Sequence, residues 1–208
     1  MNRQFPALRG LAIAIVVLHH SIRMAALAAQ EMNYSQPGGW EHYILLILLQ
    51  LGIFAVPTFL FISGSFFVYA AQGRNPKLSY RTVWAGLKHL LWPYIFWSII
   101  FYVVIFLGQD KVYTPLGYLK NLIVGYPFHF VPLLVFYYAV SPILVRLSQR
   151  FGWVIIAAIF IYQVVLMNLV YPGALGFIFP EWGKYLAPPV LSNTMADWGI
   201  FFPLGVIY

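Results

Sequence analysis

The chain has 208 residues, 62% of them hydrophobic and only 8% charged, with a mean hydropathy of +0.81 and a formal net charge of +7. No ordinary soluble domain has that balance, so the composition alone excludes a water-soluble globular enzyme and points to a membrane protein. Cysteine is absent, which excludes disulfides and thiolate metal sites.

The first apolar stretch runs from Phe5-Pro6-Ala7-Leu8-Arg9-Gly10 without a break past Ser21, and a spanning helix is expected over Ala7–Ala28. It has no small-residue cleavage site and carries polar groups, so it does not read as a signal peptide. Arg9 stands near one end and the pair His19-His20 near the other. Ionisable residues inside a spanning helix are costly, roughly 2.5–3.5 kcal/mol for arginine on insertion scales, and usually mark a pathway or a site. Arg9 and His20 are eleven positions apart. That is about 16 Å of rise and close to three turns, so both lie on nearly the same face.

Further apolar stretches predict spans over Tyr43–Ala70, His89–Leu107, Tyr126–Leu147 and Gly152–Tyr171, and a sixth opens near Asp197. The sixth reaches Tyr208 after about twelve residues, too few to cross a hydrocarbon layer of ~30 Å. The expected fold class is all-α, a polytopic transmembrane bundle of five complete spans plus the start of a sixth. The chain is read as one domain over residues 1–208, the N-terminal part of a longer protein. Aromatic residues make up 19% of it, which suits anchoring at two membrane interfaces. The longest outer connection, Tyr171–Ala196, is rich in Pro, Gly and aromatics; it either caps an acceptor site or lies in the interface.

Charge sets the expected orientation. With the N-terminus in the cytoplasm, the inside carries Arg3, Arg9, Arg74, Lys77, Arg81, Lys88, Arg146 and Arg150, eight cations and no acid. The outside carries Arg23, Lys111, Lys120 and Lys184 against Glu31, Glu41, Asp110 and Glu181, a sum of zero. Adding Asp197, at the mouth of the sixth span, recovers the formal +7. The basic balance is then a topology signal and calls for no nucleic acid.

Four motifs in this order resemble the acyltransferase-3 family of integral-membrane acyltransferases, over essentially the whole chain. They are Arg9, ten residues and His20; Val56-Pro57-Thr58-Phe59-Leu60-Phe61-Ile62 closing in Ser63-Gly64; Trp92-Pro93-Tyr94 after a basic stretch; and Phe130-Val131-Pro132-Leu133-Leu134 through Tyr137-Tyr138 to Ser141-Pro142. The chain departs from the pattern at Ala7, where many members have Asp, and at Lys88 and His89, where arginines are usual. It departs again at His129, because the family's histidine would fall at Pro127. The resemblance implies a polytopic protein of the bacterial inner membrane. It also implies transfer of an acyl group, acetyl above others, from cytoplasmic acyl-CoA to a hydroxyl of a cell-envelope or exported glycan.

The chemistry itself asks for similar parts. Acyl transfer from a thioester to a hydroxyl needs a base with a near-neutral pKa, and histidine is the natural candidate. Cations are needed to hold the phosphates of a CoA-type donor. We therefore read His20 as general base, with Arg81 and Lys88 in a phosphate cradle. Arg9 reads either as a donor contact or as a snorkelling anchor. Glu41, just before the second span, is the preferred acid to orient the imidazole. His19 either supports His20 or faces a partner helix, and Ser63-Gly64 reads as a close packing point. No metal-ligand pair stands at helical spacing and no glycine-rich phosphate loop is present, so no metal is expected. A transporter or polysaccharide-export protein would share the intramembrane charges and helix-breaking prolines; dependence on His20 separates it from an acyltransferase.

Overall fold

A computed structural model describes residues 4–34, 38–71, 79–109, 112–126 and 128–208, without the side chains of residues 4–6, 9 and 109. Among these residues there is no strand; eight α-helices and one 3-10 helix, Glu181–Leu186, follow one another. Four continuous helical stretches are long and apolar enough to cross a membrane, namely Gly10–Glu31, Trp40–Ala71, Tyr80–Gly108 and Phe130–Val170. The chain is an all-helical membrane bundle.

Helix α1 (Gln4–Glu31) packs antiparallel to a stretch made of α2 (Trp40–Ile53) and α3 (Ala55–Ala71). Proline explains the break between the last two. Pro57 has no N–H for the carbonyl four residues back, and its ring crowds that carbonyl, so the helix gives way at Phe54 and restarts with proline in its first turn.

Helix α4 (Tyr80–Gln109) begins nine residues before the predicted His89. Ser79 is the reason. Its carbonyl accepts from Thr82 N at 2.9 Å and Val83 N at 3.2 Å, and its hydroxyl accepts from Arg81 N at 3.2 Å, an N-cap arrangement. Arg81, Lys88 and His89 are therefore helical. A short helix absent from the predicted spans, α5 (Pro115–Val124), follows with Thr114 Oγ1 accepting from Gly117 N at 3.1 Å. It ends at Gly125 in the left-handed region, φ 87°, where a Cβ would also lie 2.7 Å from the Pro132 ring.

The predicted spans Tyr126–Leu147 and Gly152–Tyr171 meet in one helical stretch, α6 (Phe130–Val170), of 41 residues. Straight, it would run about 61 Å, twice the hydrocarbon thickness. It is broken at Phe151, whose φ −129° and ψ 30° leave the helix. The two arms fold back on each other, as two hydrogen bonds require. Tyr137 donates to the Gly199 carbonyl, and the next residue, Ile200, donates its N–H to Gln163 Oε1 at 2.9 Å. In a straight helix, residues 137 and 163 would be about 39 Å apart. In place of a continuous sixth span come two short helices, α7 (Ser192–Trp198) and α8 (Phe201–Ile207), separated at Gly199-Ile200.

The core is centred where α3 meets α8. A Cβ on Gly64 would fall 2.2 Å from the Phe202 carbonyl oxygen, and one on Gly205 would fall 2.0 Å from that of Phe61. Backbone rests on backbone at this crossing, the role expected of Ser63-Gly64. Around it Phe67, Leu60, Leu133, Leu134 and Phe202 are fully buried. The Tyr137 ring stacks on Phe202 at 4.9 Å, and Phe67 meets Tyr138 edge-on at 4.5 Å. Val introduced at Gly64 or Gly205 must push two backbones apart, an overpacking cost of about 1–3 kcal/mol. Each variant is expected to lower the thermal unfolding midpoint of the detergent-purified chain by several degrees. Gly108→Ala, which meets nothing within 4 Å, is expected to leave that midpoint unchanged.

Candidate active site

The histidine pair sits where α1 crosses the end of α2. His19 points at α2, and its Nδ1 donates to the Leu49 carbonyl at 3.1 Å. It fits because Gly52 stands opposite; a Cβ there would come within 2.3 Å of that nitrogen. His20 turns away to the exposed side of α1, and its Nδ1 donates to the Val16 carbonyl of its own helix at 2.9 Å. The rings meet edge-on at 5.6 Å. A carbonyl can only accept, so Nδ1 carries the proton in both rings. In the neutral imidazole this leaves Nε2 unprotonated, the tautomer a general base needs.

Glu41 lies in the first turn of α2, exposed. Eight residues, about 12 Å of rise, separate it from Leu49, the level of His19. Among the described residues no hydrogen bond or ion pair joins Glu41 to either histidine. The group that orients His20 is instead the Val16 carbonyl, which residue identity does not signal, since every residue carries one. The side chain of Arg9 lies outside the described residues, although its backbone belongs to α1.

Arg81 and Lys88 are brought together. On α4 the positions of Arg81, Trp84, Lys88 and Trp92 fall three or four apart, so they share one face. With Ala85, His89 and Pro93 they line an open groove of about 600 Å³. Lys88 Nζ lies 5.5 Å from the Trp84 ring centroid, within cation–π range. This face is polar at its cations and flat at its two indoles. It belongs to α4 alone, and no residue of the histidine site lines it.

A third feature is built by the segment after α6. Asn168, 1% exposed, receives Leu175 N at 3.1 Å and donates to the Phe177 carbonyl at 3.0 Å, while Tyr162 donates to the Leu186 carbonyl at 2.9 Å. These bonds hold the segment over a cavity of about 580 Å³ whose lining includes Tyr171, Phe179, Glu181, Lys184, Ser192 and Asn193. Tyr171 donates to Asp197 Oδ1 at 3.3 Å, and the neighbouring carboxylate holds that phenol above its ordinary pKa. Asn168 and Gln163 were not singled out in the sequence; the available signal is an amide inside an apolar run. Among the described residues, no three of His, Cys, Asp or Glu gather where they could hold a metal ion.

The sequence model of the acyltransferase-3 family, described as an acyltransferase domain, matches residues 2–208. The chain belongs to the acyltransferase-3 family. Searches of curated proteins and of solved structures returned no match. In this membrane acyltransferase the two features stand on different helices. The exposed imidazole of His20 stands on α1, and a cationic, aromatic groove stands on α4.

Fitting His19 against α2 depends on the missing Cβ of Gly52. In the acyltransferase carrying Gly52→Ala, the imidazole is expected to swing out and lose its bond to Leu49, a cost of about 1 kcal/mol. Diethyl pyrocarbonate labelling read by peptide mass spectrometry should then rise several-fold at His19 and stay constant at His20.

Proposed function

We propose that this membrane acyltransferase moves an acyl group, acetyl in the first instance, from cytoplasmic acyl-CoA to a hydroxyl of a cell-envelope glycan. The observation that carries the reading is the fixed imidazole of His20, exposed on α1 with Nδ1 held by Val16. In the proposed reaction its Nε2 takes the proton of the acceptor hydroxyl as the oxygen attacks the thioester carbonyl. The C–O bond forms, the C–S bond breaks, and the proton passes to the departing CoA thiolate. Thiol and ester are the products, and the base is regenerated.

The Arg81–Lys88 groove supports a site for the donor's phosphates, because two cations seven residues apart on one face present converging charge. Trp84 and Trp92 offer ring faces to the adenine. Arg9, in the first turns of α1 and eleven residues before His20, joins this reading as a further donor contact, and Glu41 as an acid at the acceptor mouth. The polar cavity under the segment after α6 supports an acceptor site, with hydroxyl-bonding side chains beside aromatic ones. Orientation follows the charge count, with the N-terminus cytoplasmic and the two arms of α6 crossing as separate spans, which makes five. We place the protein in the inner membrane of a bacterium.

The decisive experiment is thiol release from acetyl-CoA by membranes carrying the protein, with envelope glycan as acceptor and wild type compared with His20→Ala at matched insertion. A positioned general base contributes about 10²–10⁴-fold, so acceptor-dependent release should fall by at least 100-fold in the variant. Equal release would remove His20 from the mechanism. No release by the wild type from acetyl-CoA or succinyl-CoA would turn the reading toward transport or export.

The donor groove has a separate signature. Exchanging both cations, Arg81→Gln with Lys88→Gln, should raise KM for acetyl-CoA by about tenfold, the worth of roughly one charge-assisted hydrogen bond. The effect on kcat should be small, and it should be largest at low ionic strength.

A further inference from the structure

The segment between α6 and α7 runs down the side of α6. The second arm of α6, from Gly152 to Val170, rises about 28 Å, close to the ~30 Å of a hydrocarbon layer. Its Val170 end therefore stands near the membrane surface, with Tyr162 about 12 Å farther in. The segment is pinned along that length. Gly183 rests on Leu169, where a Cβ would come within 3.0 Å of the leucine side chain, and Tyr162 donates to the Leu186 carbonyl at 2.9 Å. Residues 183–186 thus lie at the depth of the last turns of α6.

What this flank turns outward is apolar. Ile178, Trp182 and Tyr185 are each more than half exposed, and so are Phe160 and Ile161 on the adjoining arm. Several large apolar side chains along one flank mark a binding face, where a lone one would not. At this depth they meet acyl chains and the headgroup boundary, where Trp and Tyr are favoured. The flank is continuous with the cavity of about 580 Å³ beside it. Glu181 and Lys184 line the cavity while Trp182 and Tyr185 face outward, and Lys184 Nζ lies 5.6 Å from the Tyr185 ring centroid.

We propose that the acceptor is a glycan carried on a membrane lipid, its sugar in this cavity and its alkyl chain along Ile178, Trp182 and Tyr185. The inference rests on the acyl-transfer reading and adds the class of its acceptor. A polar cavity and an apolar flank meet at one level, the shape of an amphiphile at a membrane surface. Tyr171, Glu181, Lys184, Ser192 and Asn193 offer donors and acceptors to sugar hydroxyls. Anchoring also holds the acceptor at the level of the cavity, which raises its effective concentration there.

The test compares an envelope glycolipid with the same glycan freed from its lipid, as acceptors from acetyl-CoA in vesicles carrying the whole chain. The kcat/KM for the lipid-borne form should exceed that for the free form by about tenfold or more. Trp182→Ser with Tyr185→Ser should lower that ratio severalfold. Equal use of the two forms would overturn the proposal and leave the acyl-transfer reading standing. Transfer to neither form would overturn both. Depth is read without turnover. The chain has no cysteine, so Trp182→Cys and Tyr185→Cys can each carry one nitroxide label. Both labels should be relaxed more by dissolved oxygen than by a water-soluble nickel chelate; the reverse would place the flank in water and overturn the proposal.

Discussion

The fold depends on one close contact, the crossing of α3 and α8 at Gly64 and Gly205. Lipid tails are as apolar as leucine, so helices in a bilayer gain little by burying apolar surface against one another. They associate through dispersion and backbone proximity, both steep in distance. Removing two Cβ atoms lets the Phe61 and Phe202 carbonyls come to the opposing helix. That approach places Phe202 among Phe67, Tyr137 and Tyr138, and it brings Gly199-Ile200 to the two arms of α6. The arms are held together by what α8 carries to them.

A broken helix in a membrane leaves carbonyls that water cannot reach, and this chain meets them with side-chain donors. His19 serves Leu49 near the α2–α3 break; Tyr94 and Tyr102 serve Leu122 and Tyr126 at the end of α5; Tyr137 serves Gly199 between α7 and α8. The wealth of tyrosine has a structural use besides interface anchoring. A phenol combines a large apolar ring with one hydroxyl and so can satisfy a buried carbonyl at little desolvation cost.

Sequence reasoning reached the coarse architecture because hydropathy over twenty residues is a strong signal. The ends were less legible. Ser79 moved the start of α4 by nine residues, since a cap acts through one hydroxyl and leaves little mark on composition. Helix α5 was hidden because ten residues with two exposed leucines do not resemble a span. The break at Phe151 was legible, since one predicted span closes at Leu147 and the next opens at Gly152, but that no separate loop would join the two arms was not. At the site, helical periodicity showed that Arg81 and Lys88 share a face once both are helical. It could not show that Glu41 lies eight residues beyond the histidine level, because that depends on how α2 slides along α1.

That offset bears on the chemistry. In a hydrolase triad a carboxylate both fixes the base and stabilises the imidazolium it becomes. A backbone carbonyl does the first and only part of the second, since it carries a dipole and not a charge. In the proposed reaction, His20 held by Val16 is therefore a positioned but weakly supported base, suited to a thiolate leaving group. Thiolate departs far more readily than an amine or alkoxide, its parent thiol having a pKa near 8.5 against about 15.7 for water. The base needs only to lift a hydroxyl proton as the thioester is attacked, and no strong acid step follows. Under that proposal a histidine tethered to its own helix is sufficient for the task, and the outer acids are left to the acceptor.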